Sequence, residues 1–336
     1  MTIGVCFCRE FTFMRILITG ASGFIGQALC SKLVSEGHQP RAVVRSTDSI
    51  PSVAGLDVLV VGEVGAQTDW TLAMAGVDCV IHCAARAHVM NEVETDALSA
   101  YRSVNVAGTR RLAEQGSALG LRRLVYLSSI KVNREQTTRG MQLLSSDSPA
   151  PEDPYGVSKW EAEQALWAVS KRTGLEVVVI RPPLVYGPGV KGNLLRLLRL
   201  VERGVPLPLG AVHNKRSLVG LSNLMDLLLC CAKHPAAAGK TFLASDGHDL
   251  STPQFIRLIA EGMNKPSLLV PVPVALLQAV STLLGKRDEI ARLVSSLQVD
   301  TSQTVAELAW TAPVSVEDGV REMALWYSGL QDTVAR

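Results

Sequence analysis

With 336 residues, 47% of them apolar and 19% charged, the chain is long enough to bury a sizeable core and too apolar to stay disordered. Its 33 basic and 31 acidic side chains leave a formal charge of +2, a balance that argues against a polyanion-binding face, so no nucleic-acid partner is expected. The seven cysteines are odd in number, lack zinc-ligand spacing and read as the reduced thiols of a cytoplasmic protein.

Along the chain, MTIGVCFCREFTF lacks the basic start of a signal peptide and is broken by Arg9 and Glu10. Met14 stands directly before RILITG, so residues 1–13 are expected to be a disordered extension. Six β-branched runs then alternate with helical stretches: RILITG (15–20), RAVVRS (41–46), DVLVVG (57–62), DCVIHCA (78–84), RLVYLSS (123–129) and EVVVIRP (176–182). Near-continuous apolar strands separated by helices predict an α/β, Rossmann-type doubly wound parallel sheet over residues 14–188. After Pro188 come the amphipathic patterns NLLRLLRLVERG and SNLMDLLLCCAKH. They predict a smaller, partly interwoven C-terminal substrate lobe over 189–330, with some segments returning to the first domain. Residues 267–285 carry no charge, but Pro271 and Pro273 lie inside them and Pro266 just before. The stretch is read as a loop and an apolar helix packed on the domain, without stable membrane insertion.

The first run leads into GASGFIG and then QALCSKLVSEG. Gly20 permits the sharp turn, Gly23 lets backbone approach a pyrophosphate, and Gly26 lets the helix pack on the sheet with its positive end at the anion. At the second run, the strand tip is where a dinucleotide's adenosine ribose is met. A carboxylate there favours the 2′-hydroxyl and an arginine favours a 2′-phosphate. Residues 40–47 hold Arg41 and Arg45 and no acid, and Asp48 lies beyond. NADP(H) is therefore favoured, with NAD(H) possible.

PYGVSK places Tyr155 and Lys159 four apart, on one face of a helix. A phenol titrates near 10, and a neighbouring ammonium is expected to lower that value, at about 1.4 kcal/mol per unit, towards neutral acid–base work. Ser129, closing the fifth strand, would bond the same substrate oxygen. Arg86 and His88 follow the fourth strand towards the cleft mouth. Arg86 is a candidate for the cofactor and His88 for the substrate, with a solvated loop as the alternative. His82, inside a strand, reads as a hydrogen-bonded core histidine. No His/Asp/Glu cluster suggests a metal.

These motifs give the chain a resemblance, over about 14–328, to the extended short-chain dehydrogenase/reductases of the nucleotide-sugar epimerase/dehydratase group. The resemblance also rests on VIHCAA (80–85), VNVAGT (104–109), RPPLVYGPG (181–189), the arginine of RSLVGLSNLMD (216–226) and LAWTAPVSVEDG. It implies that Gly20, Gly23, Phe24, Ile25 and Gly26 hold the pyrophosphate and that Ala84 and Ala85 line the cofactor cleft. Glu63 and Val64 would meet adenine, and Asn105 would support the active-site backbone. Pro182 and Val185 would flank the nicotinamide, while Lys159 bonds its ribose. Arg216 and Asn193 would hold the substrate diphosphate. Relatives pair through a four-helix interface, which implies a homodimer using residues 158–170. Three positions depart from the group's usual pattern: Val132-Asn133-Arg134 replaces V-Y-G, Leu184 replaces asparagine, and Glu63 replaces aspartate.

Two reactions at C4 of a UDP-hexose share the triad Ser129, Tyr155 and Lys159. The arginines favour NADPH-dependent reduction of a 4-keto-6-deoxy-hexosamine, as in the reductase subgroup that RILITGASGFIGQAL and SSIKVN resemble, which serves O-antigen and other surface-polysaccharide synthesis. The alternative is a UDP-glucose or UDP-GlcNAc 4-epimerase with tightly bound NAD. A third possibility is a non-enzymatic NADP(H)-binding sensor or scaffold.

Overall fold

The computed structural model describes residues 14–87, 96–138, 140–283, 285 and 287–334, so the N-terminal extension and His88 lie outside the described residues. The first half runs β1 (Ile16–Thr19), α1 (Phe24–Ser35), β2 (Arg41–Val44), β3 (Asp57–Val60), α2 (Thr71–Met74), β4 (Cys79–His82) and α3 (Ala97–Tyr101). A π-helical segment, Arg102–Gly108, leads into α4 (Thr109–Ala118), β5 (Arg123–Leu127), α5 (Pro154–Thr173) and β6 (Glu176–Arg181). The second half continues with β7 (Leu184–Tyr186), α6 (Gly192–Glu202), β8 (Leu218–Gly220), α7 (Leu221–Lys233), β9 (Lys240–Leu243) and α8 (Thr252–Gly262). It ends with α9 (Val274–Leu283), α10 (Arg287–Val294), α11 (Ser302–Leu308) and α12 (Val316–Val334).

Seven parallel strands form the main sheet in the order β3-β2-β1-β4-β5-β6-β9. The six sequence-predicted strands are all present. The seventh, the short run KTFL between Gly239 and Gly247, went unread because four residues offer no period. Because successive side chains leave a strand on opposite faces, Ile16 and Ile18 enter one core with Leu29, Leu33, Leu224, Leu228 and Trp310. Leu17 enters the other with Trp70, Leu112, Tyr126 and Leu166. Helix α7, read as part of the C-terminal lobe, thus covers a sheet face beside α1. A third core holds Tyr186, Leu198, Ile259, Val320 and Met323.

Half-buried Asp246, after β9, ties these parts together. It accepts from Tyr186 Oη at 2.7 Å, Asn223 Nδ2 at 2.7 Å and Gly220 N at 2.9 Å. Tyr186 also donates to Val316 O at 3.2 Å, which links β7 and β8 to the start of α12.

Candidate active site

At the carboxyl end of the sheet, Gly20 turns with φ +67°, and a Cβ there would stand 2.7 Å from Ala84 N. A Cβ on Gly26 would drive into the Gly20 carbonyl. These two positions need glycine because β1, α1 and the β4 exit touch at backbone level. Gly23 caps α1 with no side chain over its amides, and the first turn holds no acid. The result is an open, positive helix end facing the cleft, which fits a pyrophosphate. Phe24 and Ile25 follow in the first turn, and a Cβ built on Gly189, after β7, would stand 3.6 Å from the Phe24 ring.

A buried polar chain supports this turn. Thr19 Oγ1 meets His82 Nδ1 at 2.6 Å and accepts from Ala84 N at 3.3 Å, while His82 Nε2 meets Thr109 Oγ1 at 2.9 Å. Burial, with a lesser push from Lys159, drives the imidazole down to about 3, so His82 is a neutral core brace. Ala85 follows Ala84 along the cleft wall. Arg86 exchanges backbone bonds with Asn105, its N donating to Oδ1 at 2.8 Å and its O accepting from Nδ2 at 3.1 Å. Asn105 sits in the π-helical segment and also donates to Ser158 Oγ at 2.9 Å, which donates to Tyr155 O at 2.8 Å. Such π bulges recur at functional sites. Here one asparagine joins the β4 exit to the first turn of α5.

At the ribose end the two arginines separate. Arg41 begins β2, opposite Leu17 and far from the strand tip. Its Nε donates to Asp57 Oδ2 at 2.8 Å and its Nη1 to Ala73 O at 3.1 Å and Ala75 O at 2.9 Å. The expected cofactor contact of Arg41 is therefore corrected: this arginine clamps β2 to β3 and α2 at the end of the sheet away from the cleft. Arg45 does follow the tip. It stands 3.5 Å from Glu63 across the β2 and β3 exits, both side chains well exposed. Val64 is buried against Gly108, where a Cβ would approach its Cγ1 to 2.7 Å.

The triad is assembled by contacts remote in sequence. Asp153 caps α5, accepting from Gly156 N at 2.7 Å, and Pro154 fills the first helical position. Lys131 bonds both Asp153 and Glu135. A Cβ on Gly156 would stand 2.8 Å from Lys131 O. The turn that Ser129 caps is thereby drawn against the start of α5, bringing Ser129 and Tyr155 to one edge. Tyr155 is part-buried, with its ring edge-on to Tyr101 at 6.0 Å between centroids.

Lys159 is 2% exposed, and its Nζ donates to Leu127 O at 2.8 Å. The ammonium lies 4.6 Å from the Tyr126 ring centre and 5.9 Å from that of Tyr155. Burial pushes Lys159 down to about 8, with Glu163 opposing the shift. Burial, reinforced by Asp153 and Tyr101, raises the Tyr155 phenol above its usual value. The sequence reading expected the phenol to be lowered. Desolvation prevails because the ammonium rests on a carbonyl and another ring rather than on the phenol.

One turn along, Glu163 and Arg181 pair while both are buried. Arg181 Nε donates to Glu163 Oε1 at 3.0 Å, Ser128 Oγ donates to the same oxygen at 2.5 Å, and Arg181 Nη1 donates to Asn133 Oδ1 at 3.0 Å. The unusual Asn133 thus has a partner in β6. Sequence reasoning missed this group, although Tyr155, Lys159 and Glu163 recur at four-residue steps.

Pro182 accepts from Ile130 N at 3.0 Å, and Val185 lies in β7, paired to Val219. Leu184, which departs from the group's usual asparagine, is an apolar side chain 44% exposed. Asn193 is exposed in the first turn of α6. Arg216 Nη1 donates to Arg292 O at 2.8 Å and Ser295 O at 3.1 Å, capping the end of α10. Burial, then the charge of Arg292, lowers this guanidinium.

A parallel sheet with a glycine turn at its first βα exit and a Ser–Tyr–Lys set on the same edge defines an enzyme of the short-chain dehydrogenase/reductase type. The chain belongs to the NAD dependent epimerase/dehydratase family, whose sequence profile matches residues 16–244. It is 44% identical over 311 residues to a UDP-glucose 4-epimerase of Vibrio cholerae, covering 92% of this chain and 94% of that protein. It is 26% identical over 323 residues to the N-acetyl-alpha-D-glucosaminyl-diphospho-ditrans,octacis-undecaprenol 4-epimerase of Escherichia coli O157:H7, covering 91% and 93%. Among solved structures, the Bordetella bronchiseptica enzyme WbmG in complex with NAD superposes with a TM-score of 0.74 at 22% identity, covering 96% of each chain. That likeness is one of fold.

Proposed function

We propose that this enzyme inverts C4 of the hexose in a UDP-sugar, with a nicotinamide dinucleotide resident in the cleft. The observation that carries the proposal is the pairing of a buried ammonium, Lys159, with the Tyr155 ring at 5.9 Å on the edge that carries the glycine turn. The 44% identity to a named UDP-glucose 4-epimerase supports this reaction over others that would use the same triad. When bound, the nicotinamide supplies the hydride acceptor and donor. The chain's own groups handle the proton and the orientation. Tyr155 Oη takes and returns the proton of the C4 oxygen, and Ser129 Oγ bonds the same oxygen. Lys159 stabilises the phenolate, whose formation costs about 1.4 kcal/mol for each unit the phenol lies above ambient pH. Arg216 and Asn193 hold the diphosphate from the α6 and β8 side, since a guanidinium gives paired charge-assisted bonds to phosphate.

A second reading, C4 reduction with NADPH, is favoured by Arg45 at the β2 exit. A 2′-phosphate there would have to draw Arg45 from Glu63, and an exposed pair of this kind resists by less than about 1 kcal/mol. Incubation with UDP-glucose and UDP-GlcNAc without added cofactor, with product analysis, tests the first reading; galacto epimers are expected. Absence of those epimers, together with NADPH consumption only on a UDP-4-keto-6-deoxy sugar, would replace it with the second. We place the enzyme in the cytoplasm, and α4 and α5, packed side by side, are the expected surface for a homodimer.

A further inference from the structure

Helix α9 was expected to pack on the domain, and one of its faces does. Leu277 and Ser281 are buried, and Val274 packs on the third core. Among the described residues nothing covers the other face. Leu276, Val280 and Leu283, at i, i+4 and i+7, are 55%, 45% and 87% exposed. The segment before α9 extends this surface. Leu207 N donates to Leu268 O at 2.8 Å and Val270 N donates to Leu207 O at 2.9 Å, fixing a bridge that leaves Leu268 44% and Val270 45% exposed. A Cβ built on Gly204 would stand 4.0 Å from Leu268 Cδ1, and Val205 next to that glycine is 38% exposed. Six large apolar side chains are thus exposed on this segment and beside it. Exposed apolar surface on this scale marks an interaction site.

Charge indicates what covers it. From Pro266 to Gly285 there is no charged residue, while Lys265 stands before the stretch and Lys286 and Arg287 directly after it. Arg203 adds an exposed base beside Gly204 and Val205, and the acids Asp288 and Glu289 come only after the flanking pair. A protein-binding surface is on the whole about as polar as the rest of the exterior. An uninterrupted apolar strip bordered by cations is instead the pattern of an element lying in a bilayer interface. Among the described residues no helix is long and apolar enough to cross a membrane.

We propose that this face docks the enzyme on an anionic lipid bilayer, with α9 lying along the surface. Six side chains and a handful of cations make the binding weak and reversible, each cation near the surface adding roughly a fivefold gain. Docking also orients the substrate end of the molecule, because α9 packs on α10 and the carbonyls at the end of α10 hold Arg216. The proposal does not depend on the reaction catalysed, and its test uses no substrate.

The test is flotation of the full chain with vesicles of phosphatidylcholine alone or with phosphatidylglycerol added. The triple substitution Leu276→Ser, Val280→Ser, Leu283→Ser is compared with Lys265→Glu, Arg287→Glu and with the unchanged protein. Binding to the anionic vesicles is expected to fall by an order of magnitude in either variant, with thermal unfolding and solution mass unchanged. The unchanged protein failing to float overturns the proposal, as does a triple variant that binds as well as the parent. A parent dimer that becomes monomeric in the triple variant would show that a second copy covers the face, and would likewise overturn it.

Discussion

Helix α5 presents two buried cationic arrangements one turn apart, and they are built differently. Arg181 is matched: Glu163 takes two of its nitrogens, Asn133 a third, and Ser128 donates to the same carboxylate. Lys159, equally buried, has no acid in direct contact among its described partners and rests on the Leu127 carbonyl and the Tyr126 ring. A matched buried charge holds its protonation and its place, and losing one partner is costly. An ammonium with only a carbonyl and an aromatic face pays for desolvation in its pKa, which drops to about 8. The difference separates a brace from a group whose field can serve chemistry at Tyr155.

Four measurements sharpen or break this contrast, taken from the largest effect down. Tyr155→Phe removes the only phenol the proposed reaction uses, so turnover should fall by roughly 10²–10⁴-fold while cofactor affinity, read by fluorescence titration, hardly changes. A variant retaining full turnover would end the proton-transfer role. Arg181→Met strands the Glu163 carboxylate, and denaturant unfolding should show a loss of about 3–5 kcal/mol. Adding Glu163→Leu should recover most of that loss; if it does not, the pair is more than a brace.

Lys159 should respond to pH in two opposed ways. Free lysine titrates near 10.4. With the folded value near 8, the unfolded chain holds more protons between the two, so this group's contribution to stability rises with pH across that window. Turnover, which needs the ammonium, should decline as pH passes about 8. Subtracting the profile of Lys159→Met isolates the stability part, and a flat difference would mean that Lys159 is not desolvated in solution. Arg45→Asp is the smallest test. The exposed Arg45–Glu63 pair contributes under about 1 kcal/mol to folding, so stability should be nearly unchanged while any preference for NADPH over NADH falls severalfold. An unchanged ratio would remove Arg45 from cofactor selection.

The site was legible in the sequence wherever its chemistry is local. The glycine spacing at 20, 23 and 26 and the four-residue step from Tyr155 to Lys159 are visible because turn and helix geometry act over a few residues. Arg41 was misplaced because composition gives no strand register: β2 begins at Arg41, which puts its side chain at the end of the sheet remote from the cleft. The direction of the Tyr155 shift was misjudged because spacing shows that an ammonium is near but not which atom it touches. Asn133, a departure from the group's usual pattern, is met by Arg181, 48 residues on, a contact that no local spacing shows.

The sequence by itself determined the alternation of strands and helices, the glycine turn and the step from Tyr155 to Lys159, since each depends on periodicity or on φ and hydrogen-bond demands within a few residues. Tertiary structure alone decided the seventh strand, the partners of the buried charges and the outward face of α9. Those follow from which surfaces meet between different elements, 18 to 48 residues apart for the buried charges, and burial, not residue type, then sets what each group can do.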